Sequence, residues 1–209
     1  MVVFETGPLS TWFYHALTAE GIPAICIEVR RAQKVLNETL NKTDANDADG
    51  LAQLAKAGFY KVVRVKTFDN MLTRTLVAAR SLLVSISKQL SNQIRGLLKT
   101  FGLVVPKGEG RVFDANVREL LNGNSGLAVV ILPLLEAWRE MRERAANLDK
   151  QLVAVSRQSR ATKLLMTIPG VGAVTAVSYI AAIEDPENFP TSRSSYIFSS
   201  RCKSLNSVE

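Results

Sequence analysis

Two stretches of this chain repeat apolar residues in alternating steps of four and three, and no other feature restricts its folding as tightly. The first runs Leu72, Leu76, Ala79, Leu83, Ile86, Leu90, Gln93 and Leu97, with one polar member at Gln93. The second runs Leu127, Ile131, Leu134, Trp138, Met141, Ala145, Leu148, Leu152 and Val155. A mean step of three and a half residues keeps one seam on one face of a helix and calls for a partner helix. Between the seams, residues 102–126 hold six glycines or prolines, and Phe113 to Leu121 reads as a short helix inside this connector. Two heptad helices of similar length around such a connector predict an antiparallel hairpin, with pairing between chains as the competing arrangement. Pro133 is expected to kink or to start the second helix. Off the first seam, Arg74, Arg80, Lys88, Arg95 and Lys99 make a basic flank able to follow a phosphate backbone. A solvated coiled coil accounts for the same residues equally well.

Residues 1–65 change period and read as α/β. Val2 to Glu5 is a strand, Gly7-Pro8 turns the chain, and Leu9 to Ala19 is a helix with Leu9, Trp12, Phe13 and Leu17 on or near one face. Gly21-Ile22-Pro23 ends it, and Ala24 to Val29 is a second, buried strand. Two strands joined by a helix are expected to be parallel. A helix from Asp44 to Lys56 carries Leu51, Leu54 and Ala55 towards a core, Gly58 caps it, and Tyr60 to Val65 is a short strand or an extended connection. His15, the one histidine, reads as a surface or half-buried residue. Arg30, Arg31 and Lys34 suit phosphate or a solvated loop equally.

Three acids in this region suit a hard cation. Asp44 and Asp47 stand three residues apart, on one helical face, with Cβ atoms about 5–6 Å apart. Glu5 ends the first strand. Carboxylates so arranged form an oxygen cage of the kind that Mg²⁺ or Mn²⁺ takes, and two such ions hold the attacking and leaving oxygens of a phosphodiester in line. Taken alone, the aspartate pair is better explained by capping: Thr43 is a good N-cap, and acids are favoured in a first helical turn. Asp49 lies round the helix from both and reads as solvated surface.

Residues 161–183 hold a further motif. Leu164 to Ala176 reads as helix, glycine-rich turn, helix, around Pro169-Gly170-Val171-Gly172. Exposed backbone N–H groups at a helix N-terminus bind anions, and helix-hairpin-helix turns grip DNA phosphates in this way without reading sequence. A tight turn between packed helices is the structural account of the same residues. The formal charge of +7 and pI near 9.6 point to an anionic partner, nucleic acid first. Cys26 and Cys202 have neither zinc-type spacing nor a disulfide framework. No apolar run reaches membrane-spanning length, so a soluble intracellular chain without membrane contact is the expectation. Thr191 to Glu209 is Ser-rich and aperiodic, which predicts a frayed tail.

In order along the chain, Phe4-Glu5-Thr6-Gly7, Lys42-Thr43-Asp44-Ala45-Asn46-Asp47-Ala48, the two long helices, Ile168-Pro169-Gly170-Val171-Gly172 with Thr175-Ala176, and Glu184 to Phe189 resemble the bridge-RNA-guided insertion-sequence transposases. That family joins an N-terminal ribonuclease-H-like DEDD domain to a coiled coil and a C-terminal transposase domain. The resemblance covers about residues 1 to 193. It implies a partial DEDD domain over 1–66, coiled-coil helices over 67–160 with the connector at 102–126, a partial C-terminal domain over 161–193, and a divergent tail over 194–209. The implied fold is therefore an incomplete α/β part with parallel strands, then a long antiparallel helical hairpin, mostly α overall.

The resemblance makes Glu5 the second acid of the tetrad and Asp44 and Asp47 the third and fourth, holding Mg²⁺ or Mn²⁺. Lys42, Arg74, Lys88, Arg95, Gly170 and Gly172 become nucleic-acid contacts. The implied partners are DNA, a structured guide RNA and further copies of the chain through the coiled coil, in a nucleoid-associated cytoplasmic setting. Two family elements have no counterpart in the sequence: the first acid, on a strand before Glu5, and the serine segment beyond the Pro-Gly-Val-Gly turn. None of Ser194, Ser195, Ser199 or Ser200 is assigned as that nucleophile. The expectation is a transposase of an insertion sequence, truncated at both ends and inactive in strand transfer. A non-catalytic nucleic-acid-binding oligomer and a resolvase-like metal nuclease are the alternatives.

Overall fold

The computed structural model describes residues 1–28 and 44–184, apart from the side chains of residues 44, 45 and 47. Arg30, Arg31, Lys34, Lys42 and the tail fall outside the described residues. The chain divides into two compact units, Met1–Asp69 and the remainder from Asn70.

The first unit contains strand β1 (Val2–Glu5), helix α1 (Ser10–Ala19), strand β2 (Ala24–Ile27) and helix α2 (Asp44–Ala57). The strands pair in parallel, as the intervening helix predicts, with Val2 opposite Ala24 and Glu5 opposite Ile27. After α2 the chain returns along β2. The Glu28 N–H donates to the Lys61 carbonyl (3.1 Å), the Val63 N–H donates to the Cys26 carbonyl (2.8 Å), and Ile27 and Val62 form an antiparallel bridge. Residues 60–65 are thus an extended connection with one bridge. Because strand side chains alternate, Val3, Ile25 and Ile27 share one face, where they pack with Leu51 and Leu54 of α2 and with Tyr60. Phe4 meets Phe13 of α1 edge-on, with ring centroids 5.1 Å apart. The expected apolar face of α1 is only partly covered: Leu9 precedes the helix at 71% exposure and Trp12 is 66% exposed. Two strands about 5 Å apart give a helix too narrow a surface to bury its whole stripe. His15 is half-buried, its Nε2 2.9 Å from the Lys66 carbonyl.

The second unit is helical: α3 (Phe68–Thr100, entering from the first unit), α4 (Arg111–Leu121), α5 (Ser125–Gln158), α6 (Arg160–Leu165) and α7 (Ala173–Ile183). Helices α3 and α5 form the antiparallel hairpin. Ile94 and Leu98 share a core with Ile131, Leu135 and Trp138, and Phe113, Val117 and Leu121 of α4 close it at the bend. Every residue of the seam expected on α5 is buried or half-buried. The seam expected on α3 is half right. Leu76, Leu83, Ile86, Leu90 and Leu97 are half-buried, whereas Leu72, Ala79 and Gln93 are exposed, and Thr73, Arg80, Ser87 and Ile94 are half-buried or buried beside them. A line of residues seven apart accepts its second line either three or four positions on. Here Ser87 is small enough to be enclosed, its hydroxyl donating to the Val84 carbonyl, and Arg80 finds Asp149 of α5. Pro133 neither starts nor ends α5; it lies inside the helix on an exposed face.

Ser159 separates α5 from α6 and caps α6 by accepting from the Thr162 N–H. Helix α7 packs against α5 and α6, burying Ala176, Val177, Ala181, Ala182 and Ile183. Among the described residues, no helix is long and apolar enough to cross a membrane.

Candidate functional site

Glu5 is the last residue of β1 and is half-buried. Asp44 opens α2 and Asp47 follows one turn on; their side chains lie outside the described residues. Leu51 and Leu54 hold α2 on the sheet, and Asp44 and Asp47 belong to the first turn of that helix. The segment that follows α2 is tied to the strand ends. Lys61, four residues beyond Ala57, bonds to Glu28 next to Ile27, the partner of Glu5. Asp44 stands about 20 Å up the helix axis from Ala57. Among the described residues, no group of three His, Cys, Asp or Glu side chains is placed to hold a metal ion. Asp49 is exposed and accepts from Gln53 Nε2 (2.9 Å), in keeping with a solvated role.

The basic flank of α3 divides into engaged and open cations. Arg95 donates to the carbonyls of Val105 (3.0 Å), Pro106 (3.3 Å) and Gly108 (3.2 Å), and its guanidinium lies 4.8 Å from the Phe113 ring centre. It pins the connector to α3. Arg80 is paired with Asp149 and Arg74 is half-buried, while Lys88 and Lys99 are exposed.

In the α6–α7 turn, Gly170 has φ +84°, a left-handed conformation that costs other residues strain. Gly172 is the N-cap of α7 with φ −87° and ψ 175°, extended backbone that any residue adopts. A Cβ at either position meets nothing within 4 Å. Nothing in the fold therefore requires glycine at 172. No side chain caps α7, and the first N–H groups of a helix lack partners within it.

Residues 1–102 match the family model of the IS110-type DEDD transposase, and residues 162–196 match a second model described as "Transposase IS116/IS110/IS902 family". The chain belongs to this family of transposases. It is 29% identical over 196 residues to the transposase for insertion sequence element IS1111A of Coxiella burnetii, covering 92% of this chain and 53% of that protein. It is 30% identical over 156 residues to y4pF/y4sB of Sinorhizobium fredii, named as a transposase, covering 73% of this chain and 40% of that protein. The transposase for insertion sequence element IS1328 of Yersinia enterocolitica is 25% identical over 154 residues, covering 73% and 46%. The chain spans about half the length of the curated relatives it matches. In this transposase chain, Glu5, Asp44 and Asp47 fall in the first matched segment and Gly170 and Gly172 in the second.

Proposed function

We propose that this chain contributes metal and nucleic-acid sites to DNA transposition by metal-assisted phosphodiester strand transfer and does not complete strand transfer by itself. In this reading Glu5, Asp44 and Asp47 hold Mg²⁺ or Mn²⁺, and Lys42, Arg74, Lys88 and the Gly170–Gly172 turn contact nucleic acid. The observation that carries it is the ordered pair of family matches, the first enclosing all three acids and the second the glycine turn. A bound divalent cation supplies Lewis-acid stabilisation of charge on the phosphoryl oxygens. The residues' part is to place carboxylates at a strand end and a helix start and to hold the phosphodiester beside them. The partners are DNA and a structured guide RNA, in a nucleoid-associated cytoplasmic setting. Further copies of the chain join through α3, whose outward Leu72 and Leu82 remain exposed beside the hairpin seam. Arg95, committed to the connector, acts on nucleic acid only through the shape it maintains.

The test is Mn²⁺ titration of the chain and of Glu5→Gln, Asp44→Asn and Asp47→Asn. Each variant is expected to lose at least about tenfold in affinity, since each removes one charged ligand. Unchanged affinity in all three overturns the metal assignment. It would leave a nucleic-acid-binding protein without chemistry.

A further inference from the structure

Between Asp149 and Glu184 the chain has no acidic residue, and it carries Lys150, Arg157, Arg160 and Lys163. Arg157 stands in the last turn of α5, and Arg160 and Lys163 lie one turn apart on α6. All three are exposed, and among the described residues none has an acidic partner. Four arginines elsewhere in this unit are paired with acids. Arg118 and Arg139 reach Asp114, Arg144 reaches Glu140, and Arg80 reaches Asp149. Only Gln158 and Ser159 separate Arg157 from Arg160, so the three cations fall within seven residues of chain, where the long helix gives way to α6 and α6 leads into the glycine turn.

Uncompensated charge of one sign on an exposed surface attracts a polyanion. The segment also indicates which kind. Binding to single strands relies on exposed aromatic rings that stack on bases, and the sole aromatic residue over 150–183 is Tyr179, which is half-buried. Duplex phosphates need only cations and backbone donors. We infer that Arg157, Arg160 and Lys163 form a surface that binds the phosphate backbone of duplex nucleic acid without reading its sequence. This rests on the proposed role of the α6–α7 turn but uses different residues. Leu164, Met166 and Ile168, also exposed at this end, are not explained by phosphate contact.

The experiment is fluorescence-anisotropy titration of a random-sequence duplex over a range of salt concentrations. The parent chain is compared with a variant carrying Arg157→Gln, Arg160→Gln and Lys163→Gln. Each lost phosphate contact removes about 0.9 from the slope of log K against log salt, so the triple variant is expected to be shallower by about 2 to 3. A control with Arg118→Gln, Arg139→Gln and Arg144→Gln loses the same formal charge where acids already compensate it, and should keep the parent slope. Circular dichroism checks that the triple variant stays folded. The inference is overturned if the triple variant keeps the parent slope and an affinity within twofold, or if the parent prefers a single strand of equal length. Gly172→Ala separates the two ideas: it should weaken duplex binding without altering the slope, so the turn and the cations can fail independently.

Discussion

Arg80 on α3 and Asp149 on α5 meet across the hairpin, Nε to Oδ1 at 2.9 Å, although 69 residues separate them in sequence. About four turns further along α3 and four turns back along α5, Ile94 and Leu135 lie in the common core. The ion pair therefore marks the register of two antiparallel helices. Its side chains keep 27% and 39% of their surface, so solvent screens it and its contribution is under about 1 kcal/mol. Urea unfolding of Asp149→Asn should show a loss of that size, shrinking as salt rises.

The shifted seam on α3 is tested by two leucines of equal size. Leu98 is fully buried and Leu72 is 62% exposed. Leu98→Ala should cost about 2–5 kcal/mol, and Leu72→Ala should stay within about 0.5 kcal/mol. Equal losses in chemical denaturation would restore the register with Leu72 inside.

Arg95 ties three connector carbonyls to α3. Lysine is a point donor without the planar fork, so Arg95→Lys should not rescue Arg95→Ala. Both should lower stability by about 2 kcal/mol, because the buried Val105 and half-buried Gly108 carbonyls lose a charged donor. Thermal unfolding measures this, and hydrogen exchange should rise first over residues 103–110.

Gly170 and Gly172 should respond differently to alanine. The φ of +84° at Gly170 makes Gly170→Ala cost about 1–2 kcal/mol. Gly172→Ala meets no atom within 4 Å and keeps an ordinary backbone, so its melting temperature should match the parent.

Cys26 is buried on β2, and burial raises its thiol pKa. In a Cys202→Ser background, thiol reagents should label Cys26 at once in denaturant and slowly in the native protein. The raised folded-state pKa contributes stability that is complete below the unfolded thiol's pKa. That contribution falls as pH climbs from there through the folded value. A scan of unfolding free energy against pH into the alkaline range checks the sign.

Some of this architecture is readable before any packing is known. A helix between two apolar strands requires a crossover, hence parallel β1 and β2. The nine apolar residues of α5 recur at one spacing and all turn inward, although the seam leaves out Leu135 and Ser156, which are buried beside it. On α3, Leu72 and Ala79 compete with Thr73 and Arg80 for the same role, and apolar content favours the wrong pair. The place of Arg95 is likewise hidden, because its partners are backbone carbonyls supplied by a loop that has no pattern of its own. Of the acids, sequence reasoning locates Glu5 at a strand end and Asp44 and Asp47 at a helix start.

The linear order of residues determined the family, the parallel strand pair, the hairpin and the inward face of α5, because each depends on periodicity or on local motifs. Tertiary structure alone decided which side of α3 turns inward, which basic residues are tied down as Arg80 and Arg95 are, and which remain open as Arg157, Arg160 and Lys163 do. Those outcomes hinge on what a second element presents at the point of contact: a carboxylate for Arg80, three carbonyls for Arg95 and, among the described residues, no acid paired with the cations of α6. A spacing rule within one segment carries no information about its neighbour.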